Sequence, residues 1–254
     1  MIRIPTVASA RFILALAVVS AIVGPAETYA GLVIVNGSFE SGLTGWTVAN
    51  STGSDGSFVL QSGTTSPVNG DPVAHPSAGN FAAMTDALGP GSHVLYQDFV
   101  VPTVLNPTDA LINFDLFIGN RASFFATPSP ASLDFGINAF NQQVRVDLMK
   151  SPADPFSVAA TDVVQNLYQS GVGDPLVSGY TTFSINLQNS LLANTGQTLR
   201  LRFAEVDNVG TLQLGVDNVA FQAIPEPSSL VMAGLGASLC VGYNLLKKRR
   251  WRGA

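Results

Sequence analysis

The stretch that decides the fold reads Thr198-Leu199-Arg200-Leu201-Arg202-Phe203-Ala204-Glu205. Apolar side chains occupy every second position, and a period of two is the signature of a β-strand with one apolar face. We expect Leu199, Leu201 and Phe203 to face a core. The two arginines between them predict that the opposite face is exposed to water, so the stretch is interpreted as a half-buried strand.

The residues after this strand indicate a turn and then a further strand. Asp207-Asn208-Val209-Gly210 has turn composition and precedes an apolar segment that begins at Leu212. A short turn between two such segments favours a β-hairpin. We therefore predict that the last two strands of the domain pair with each other.

Short apolar segments separated by Gly- and Pro-rich turns recur along residues 31–222, and no ten-residue stretch has a convincing helical period. This pattern is typical of a β-sandwich and not of βαβ units. We predict an all-β fold, a single jelly-roll β-sandwich of about ten strands. The candidate strands are Leu32–Val35, Gly45–Ala49, Ser57–Gln61, Asn80–Thr85, His93–Val101, Ala110–Ile118, Gln143–Met149, Thr161–Gln169, Thr181–Leu187, Thr198–Glu205 and Leu212–Gln222.

The first 30 residues have the composition of a secretory signal peptide. Arg3 and Arg11 give a positive start, residues 12–23 are apolar, and Thr28-Tyr29-Ala30 offers a cleavage site, with cleavage after Ala26 as an alternative. The apolar run is too short to cross a bilayer core of roughly 30 Å. Residues 1–30 therefore predict export followed by removal of the signal.

Residues 228–246 form an uncharged and mostly apolar stretch, long enough for a helix to span a bilayer. Basic side chains follow at once and predict a cytoplasmic end by the positive-inside rule. They are Lys247, Lys248, Arg249, Arg250 and Arg252, with Trp251 among them. The alternative, a buried core helix, has no need of such a basic end.

The charge of the central region limits its partners. Residues 31–224 contain five basic side chains against fifteen acidic ones, a formal net charge of −10. Phosphate backbones are bound by clustered Lys and Arg, which this region lacks, so we predict no nucleic-acid partner. Cys240 is the only cysteine and lies in the apolar tail, so residues 31–222 can form no disulfide.

Two short motifs near the ends of this region carry a family resemblance. They are Asn36-Gly37-Ser38-Phe39-Glu40, followed by Gly45-Trp46, and Val216-Asp217-Asn218-Val219. Together they resemble the carbohydrate-binding-module, or galactose-binding-like, type of jelly roll. The resemblance implies a structural calcium ion between the opening segment and the closing strand. It implies that Glu40 and Asp217 supply side-chain oxygens, Ser38 a backbone carbonyl, and residues 75–79 further carbonyls.

Calcium prefers six to eight oxygen ligands and tolerates ligands from distant segments, which suits this set. The alternative is that Glu40 and Asp217 are surface acids or turn caps. Val-Asp-Asn-Val also occurs at 206–209, so the letters alone do not define a metal site. The copy at 206–209 abuts a predicted turn, whereas Asp217 lies within an apolar strand, where a carboxylate needs a partner.

The C-terminal region resembles a PEP-CTERM sorting signal. The resemblance depends on Pro225-Glu226-Pro227, the apolar span 228–246 and the basic tail 247–252, which occur in that order within residues 223–254. It implies processing by an exosortase-type membrane protease in a Gram-negative bacterium that secretes extracellular polysaccharide. It also implies a membrane-anchored intermediate before delivery to the cell surface or biofilm matrix.

Aromatic side chains are the candidate sugar contacts. Trp46, Phe124 and Phe125 are the three that we single out, because exposed rings flanked by polar groups can hold a sugar. The alternative is that Trp46 is a core residue and that the Phe pair is either an exposed patch or a loop anchor.

The sequence offers little support for an enzyme. His75 and His93 are the only histidines, and neither belongs to a Ser-His-Asp or His-Glu-x-x-His arrangement. We assign no catalytic residue and predict a non-catalytic surface or matrix protein, with a calcium-stabilised sandwich and extracellular polysaccharide as the candidate ligand. The alternatives are a structural or adhesive matrix protein without a sugar site, and a polysaccharide hydrolase.

Overall fold

The computed structural model describes residues 32–103 and 110–223, and these residues contain ten strands and one short helix. The predicted strand positions agree with it closely, and Ser57–Gln61 matches at both ends. The sequence did not predict the helix. The elements are β1 Thr47–Asn50, β2 Ser57–Gln61, β3 Ala82–Asp86, β4 Gly91–Val100, β5 Ala110–Asn120, β6 Gln142–Lys150, β7 Val163–Gln169, β8 Thr181–Asn186, α1 Gln188–Leu192, β9 Thr198–Asp207 and β10 Leu212–Ala223.

The strands form two five-stranded antiparallel sheets. We call the sheet with order β1-β4-β9-β6-β7 the first sheet and the sheet with order β2-β3-β10-β5-β8 the second sheet. They pack face to face, so the prediction of an all-β sandwich is confirmed.

The main core lies between the two sheets. Leu199, Leu201 and Phe203 contribute to it from β9, as their alternation predicted, and Phe114 on β5 meets Phe203 edge-on with ring centroids 5.5 Å apart. Burying one such side chain stabilises the folded state by about 1.5–3 kcal/mol. The core therefore fixes which face of each strand points inward.

The prediction that the opposite face of β9 is exposed to water was wrong. Arg202 is 0% exposed, and its guanidinium pairs with Asp147 and donates to two carbonyl groups of loop 151–158, at 2.7 and 2.6 Å. Arg200 pairs with Asp98, with Nε 2.7 Å from Oδ1. Alternation predicts which side chains share a face, but here the loop covers that face and ion pairs replace water.

The predicted pairing of the last two strands was also wrong. β9 lies in the first sheet between β4 and β6, whereas β10 lies in the second sheet between β3 and β5. The residues between Asp207 and Leu212 therefore cross from one sheet to the other. A turn sequence indicates where the chain reverses, but it does not determine which sheet the next strand joins.

The segment Leu32–Val35 was predicted as a strand and forms none. The side chain of Gln97 takes the place of a strand neighbour, because it accepts from the Val35 N–H at 2.7 Å and donates to the Val35 carbonyl at 3.0 Å. The same amide also donates to the carbonyl of Gly45. One side chain thus satisfies backbone groups that a ladder would otherwise pair.

Several predictions concern residues outside the described ranges. These are the signal peptide 1–30, the motif Pro225-Glu226-Pro227, the span 228–246 and the basic tail 247–252. Within the described ranges, no helix has both the length and the apolar character needed to span a bilayer.

Candidate functional site

The opening motif forms a tight turn against the closing strand. Asn36 and Phe39 both have positive φ, at 51° and 57°. The Asn36 amide donates to the carbonyl groups of Gly42 and Thr44, which holds the turn closed. Gly37 accepts a hydrogen bond from the N–H of Val219 at 2.9 Å, so the turn is attached directly to β10.

Phe39 is buried beside Trp46, and its burial turns its neighbours outward. The two ring centroids are 5.4 Å apart, and Phe39 is fully buried. Ser38 and Glu40, on either side of it, are exposed. The motif thus presents the Ser38 and Glu40 positions to the surface while its aromatic residue anchors the turn.

Glu40 contacts the loop before β3. Its Oε1 accepts hydrogen bonds from the N–H groups of Asn80 at 2.8 Å and Phe81 at 3.0 Å. The two N–H groups, Asn80 first, lower the pKa of Glu40. Gly79 allows the approach, because a Cβ at that position would lie 2.3 Å from Oε1.

Asp217 contacts the same loop a few residues earlier. Its Oδ2 accepts from the N–H of Ala78 and lies 3.0 Å from the hydroxyl of Ser77, and its Oδ1 accepts from the N–H of Asn218. Burial raises the pKa of Asp217, with the nearby Asp115 adding to the effect, although the N–H groups oppose it. A carboxylate this enclosed gains from additional positive charge.

Glu40 and Asp217 therefore meet at one short loop, residues 77–81. The N–H groups of Ala78 and Asn80 are two residues apart, which limits their separation to at most about 7 Å. The sequence separates the two acids widely, and the fold brings both carboxylates to neighbouring backbone groups. That the two carboxylates bind calcium, as the family resemblance implied, stays a prediction.

Asp115 is a third acid at this site, and sequence reasoning missed it. It lies directly opposite Asp217 in the β5–β10 ladder, and its Oδ2 is 2.7 Å from the Ser77 hydroxyl. The amide of Asn218 also donates to it. The sequence did contain an indication of this acid, because Asp115 lies between Phe114 and Leu116 in an apolar strand, where a carboxylate needs a partner.

The Ser77 hydroxyl lies between two acids of this site. It lies within hydrogen-bond distance of both Asp115 and Asp217, yet it has a single proton to donate. Two neighbouring carboxylates would attract a cation, and calcium prefers oxygen ligands. We call Glu40, Asp115, Asp217 and the loop 77–81 the acidic junction.

The acidic junction does not form a complete ligand cage from its side chains. Within residues 32–103 and 110–223, no three His, Cys, Asp or Glu side chains converge as a metal site. A calcium ion at the acidic junction would therefore need backbone carbonyl groups as well.

Two of the three predicted sugar contacts are core residues. Trp46 is 8% exposed and Phe125 is 3% exposed, and both belong to the main core. The Trp46 Nε1 donates to the carbonyl of Asn36, so the indole also fixes the opening turn. A ring enclosed on all sides offers no face to a sugar, which removes both residues from the candidate contacts.

Phe124 remains a candidate, together with a residue that the sequence analysis did not single out. Phe124 is partly exposed, and its ring meets that of Phe140 with centroids 5.5 Å apart and an interplanar angle of 65°. Phe140 is 67% exposed. We call Phe124 and Phe140 the aromatic pair.

Amide side chains hold the loops of the aromatic pair in place. Asn120 donates to the carbonyl of Phe124 at 2.9 Å, and Gln142 donates to Asn120 at 2.9 Å. Asn208 donates to the carbonyl of residue 139 and accepts from the N–H of Asn141, both at 2.8 Å. These hydrogen bonds fix the loops that carry the two rings, which reduces the entropy lost on binding.

The two histidines differ in environment. His75 lies in the loop before β3 and is exposed, with its Nδ1 3.0 Å from the carbonyl oxygen of Pro76. His93 is 1% exposed in β4, and burial lowers its pKa to about 4.

No known protein-family model and no curated protein sequence matches this chain. Its fold is similar to that of TmCBM61, solved in complex with β-1,4-galactotriose, at 8% identity and a TM-score of 0.44, covering 77% of this chain and 100% of that one. It is also similar to the K3 cleaved adhesin domain of Lys-gingipain from Porphyromonas gingivalis W83, at 11% identity and 0.43, covering 75% and 99%. A Stig cyclase from Fischerella sp. TAU has 18% identity and 0.43, covering 78% and 99%. These similarities concern the β-sandwich and assign neither ligand nor reaction to this chain.

Proposed function

We propose that this chain is an exported, non-catalytic surface or matrix protein whose sandwich is stabilised by calcium and binds glycan through the aromatic pair. The observation that carries the binding function is the exposed ring of Phe140, packed edge-on against Phe124 on a braced loop surface. Exposed aromatic faces beside fixed polar groups are suited to stacking on the apolar face of a sugar ring.

Glycan binding is tested by removing the exposed ring. Phe140→Ala should reduce binding to an extracellular polysaccharide at least tenfold on a glycan array or by affinity electrophoresis. Val172→Ala is the matched control, because Val172 is 92% exposed on another loop and its loss should leave binding unchanged. Equal binding by the wild type and both variants would remove the aromatic pair as the glycan site.

Calcium at the acidic junction is supported by the convergence of two carboxylates on loop 77–81 and by the hydroxyl shared between Asp115 and Asp217. A ligand that binds only the folded state raises its stability by mass action. The melting temperature of the full-length protein should therefore rise with added calcium and fall with a chelator. Magnesium serves as the control, because it prefers a stricter octahedral geometry.

Export and sorting are proposed from the sequence of the chain ends. Residues 1–30 would start export, and 228–246 with the basic tail would retain the chain in the membrane until an exosortase-type protease acts near Pro225-Glu226-Pro227. Deleting residues 247–252 should reduce retention and change the mass of the released protein. Unchanged release and mass would contradict a role for the tail.

The proposal of a non-catalytic role is supported by the positions of two acids with raised pKa values. Glu205 and Asp207 have raised pKa values, a feature that can mark an active site, but both are at most 3% exposed in the sandwich interior. An assay for reducing ends released from matrix polysaccharide tests the hydrolase alternative. Self-association without glycan binding would instead favour the structural or adhesive role.

A further inference from the structure

Glu205 is a buried carboxyl group without a described partner. By alternation with Leu201 and Phe203 it points from β9 into the sandwich, and it is 1% exposed. Its Oε1 has no hydrogen-bond partner among the residues that the structure describes. Buried polar atoms are nearly always paired, so an orphaned carboxyl oxygen calls for a specific explanation.

The neighbours of Glu205 in its own sheet supply no positive charge. His93 lies directly opposite on β4, and Val144 lies opposite on β6. The imidazole Nδ1 of His93 is 2.9 Å from the Asn50 amide oxygen. Its Nε2 has no partner in hydrogen-bond geometry, although the carbonyl of Asp55 lies close enough to oppose the fall in the pKa of His93.

The charged group nearest to Glu205 on the inner face is also acidic. Asp207 follows two residues later and accepts the N–H of Gly91 at 2.7 Å. Asp55, in the β1–β2 connection, is exposed and accepts the N–H groups of residues 88 and 89. The arginines of β6 and β9 lie on the opposite face, where they pair with Asp98 and Asp147.

The second sheet also presents no charge toward Glu205. Its inward side chains in the described strands are apolar, hydroxyl or amide groups, and its aspartates face the other way. The inward residues near this end of the sandwich are Phe58, Ala83, Thr85, Ile118, Asn120, Leu212 and Leu214. An ionised Glu205 would therefore have neither a cation nor a described donor to replace its lost hydration.

We propose that Glu205 is a neutral carboxylic acid in the folded protein, and that loss of its proton destabilises the sandwich. Burial, with Asp207 adding to the effect, raises the pKa of Glu205 well above its ordinary value of 4.5. Burial also raises the pKa of Asp207 to about 7. Glu205 thus makes the stability of the domain fall as the pH rises toward the folded pKa of this group.

The direction of the effect follows from proton linkage. Between pH 4.5 and the raised pKa of Glu205, the folded state binds a proton that the unfolded state releases. Glu205 therefore contributes stability at low pH, and this contribution is lost as the pH rises through its folded pKa. His93 acts in the opposite sense, because its pKa falls from 6.5 to about 4 and stability is lost as the pH falls through that range.

The test compares the wild type with Glu205→Gln from about pH 5 upward, because Glu205→Gln keeps the shape of the side chain without its charge. His93 and Asp207 titrate in both proteins, so the difference between the two profiles isolates Glu205. We expect the unfolding equilibrium constant of the full-length wild type, relative to that of Glu205→Gln, to rise with pH in urea titrations, by up to about tenfold per pH unit, until the pH reaches the folded pKa of Glu205.

Two outcomes would overturn the proposal. One is an equal pH slope for the wild type and Glu205→Gln over this range. The other concerns the wild type alone and does not depend on the variant folding: a carboxyl carbon chemical shift of Glu205 at pH 6 that corresponds to the ionised form. Asp207→Asn is the matched control, because it removes the titration of Asp207 and should keep the part of the pH slope that depends on Glu205.

Discussion

The tetrapeptide Val-Asp-Asn-Val occurs twice in this chain, at 206–209 and at 216–219, and the two copies have different surroundings. The first runs from the end of β9 into the crossing between the sheets, whereas the second lies within β10. Asp207 faces the interior, where it accepts the N–H of Gly91. Asp217 faces the loop 77–81 and shares the Ser77 hydroxyl with Asp115.

The backbone also differs between the copies. Asn218 has a φ of 51°, and the pairing of β10 with β5 shifts between Asp217 and Ala220. Asn208 does not share this left-handed conformation. The same four residues thus form a strand end in one sheet and a bulge in the other. The neighbouring strands, and not the tetrapeptide, determine whether its aspartate faces the core or a possible cation site.

The largest effect is expected where the second copy meets the opening turn. A Cβ at Gly37 would lie 1.8 Å from the carbonyl oxygen of Val219. This oxygen belongs to the backbone of β10, which cannot easily move away. Gly37→Ala should lower the free energy of unfolding by about 4 kcal/mol in urea titrations. Gly179→Ala is the control, because no atom lies within 4 Å of its added Cβ. Similar losses of stability in Gly37→Ala and Gly179→Ala would contradict a specific contact between Gly37 and Val219.

The next effect concerns the acid of the second copy. Asp217→Ala leaves the N–H of Ala78 without its acceptor and should lower the free energy of unfolding by about 3 kcal/mol. It should also abolish the increase in melting temperature on adding calcium. Asp134→Ala is the control, since Asp134 is exposed and its carboxylate accepts the N–H of Gly136 within the same turn. A retained calcium response in Asp217→Ala would exclude the acidic junction.

The strands could be predicted because their signal is local. Alternation and turn residues located nearly every strand, and the argument that a carboxylate in an apolar strand needs a partner selected Asp217. The same argument applies to Asp115, which lies opposite it. Asp115 could therefore have been predicted from the sequence.

The sheet order and the covered faces depend on distant contacts. Nothing in Arg200 or Arg202 indicates that loop 151–158 lies over them, because that contact joins residues some 45 positions apart. In the same way, a Gln97 side chain replaces a strand beside Val35. Local patterns predict which side chains share a face, and only the assembled fold determines what covers that face.

A smaller effect is the pH dependence that Asp207, in the first copy, adds to the stability of the protein. Because burial raises the pKa of Asp207 from 3.8 to about 7, its contribution to stability is present at low pH and is lost as the pH rises to about 7. Asp207→Asn has no such titration. We expect its free energy of unfolding, relative to the wild type, to increase by about 2 kcal/mol between pH 5 and pH 8. A constant difference in urea titrations at the two pH values would contradict the buried environment of Asp207.

The smallest effect concerns the asparagines of the two copies, Asn218 and Asn208. The alanine and glycine variants should have opposite orders of stability at the two positions. Both Asn218→Ala and Asn218→Gly lose the amide contacts to Ser77 and Asp115, so their difference isolates the backbone. At a φ of 51° alanine is strained and glycine is not, so Asn218→Gly should be the more stable of the two by about 1 kcal/mol.

At Asn208 the order should be opposite. Its φ is ordinary, and glycine there only adds freedom to the unfolded chain, so Asn208→Ala should be more stable than Asn208→Gly by about 0.5–1 kcal/mol. Four urea titrations at one pH measure both differences. The same sign at both positions would mean that the tetrapeptide imposes its own backbone conformation, whereas opposite signs would show that each sheet imposes a different conformation on the same four residues.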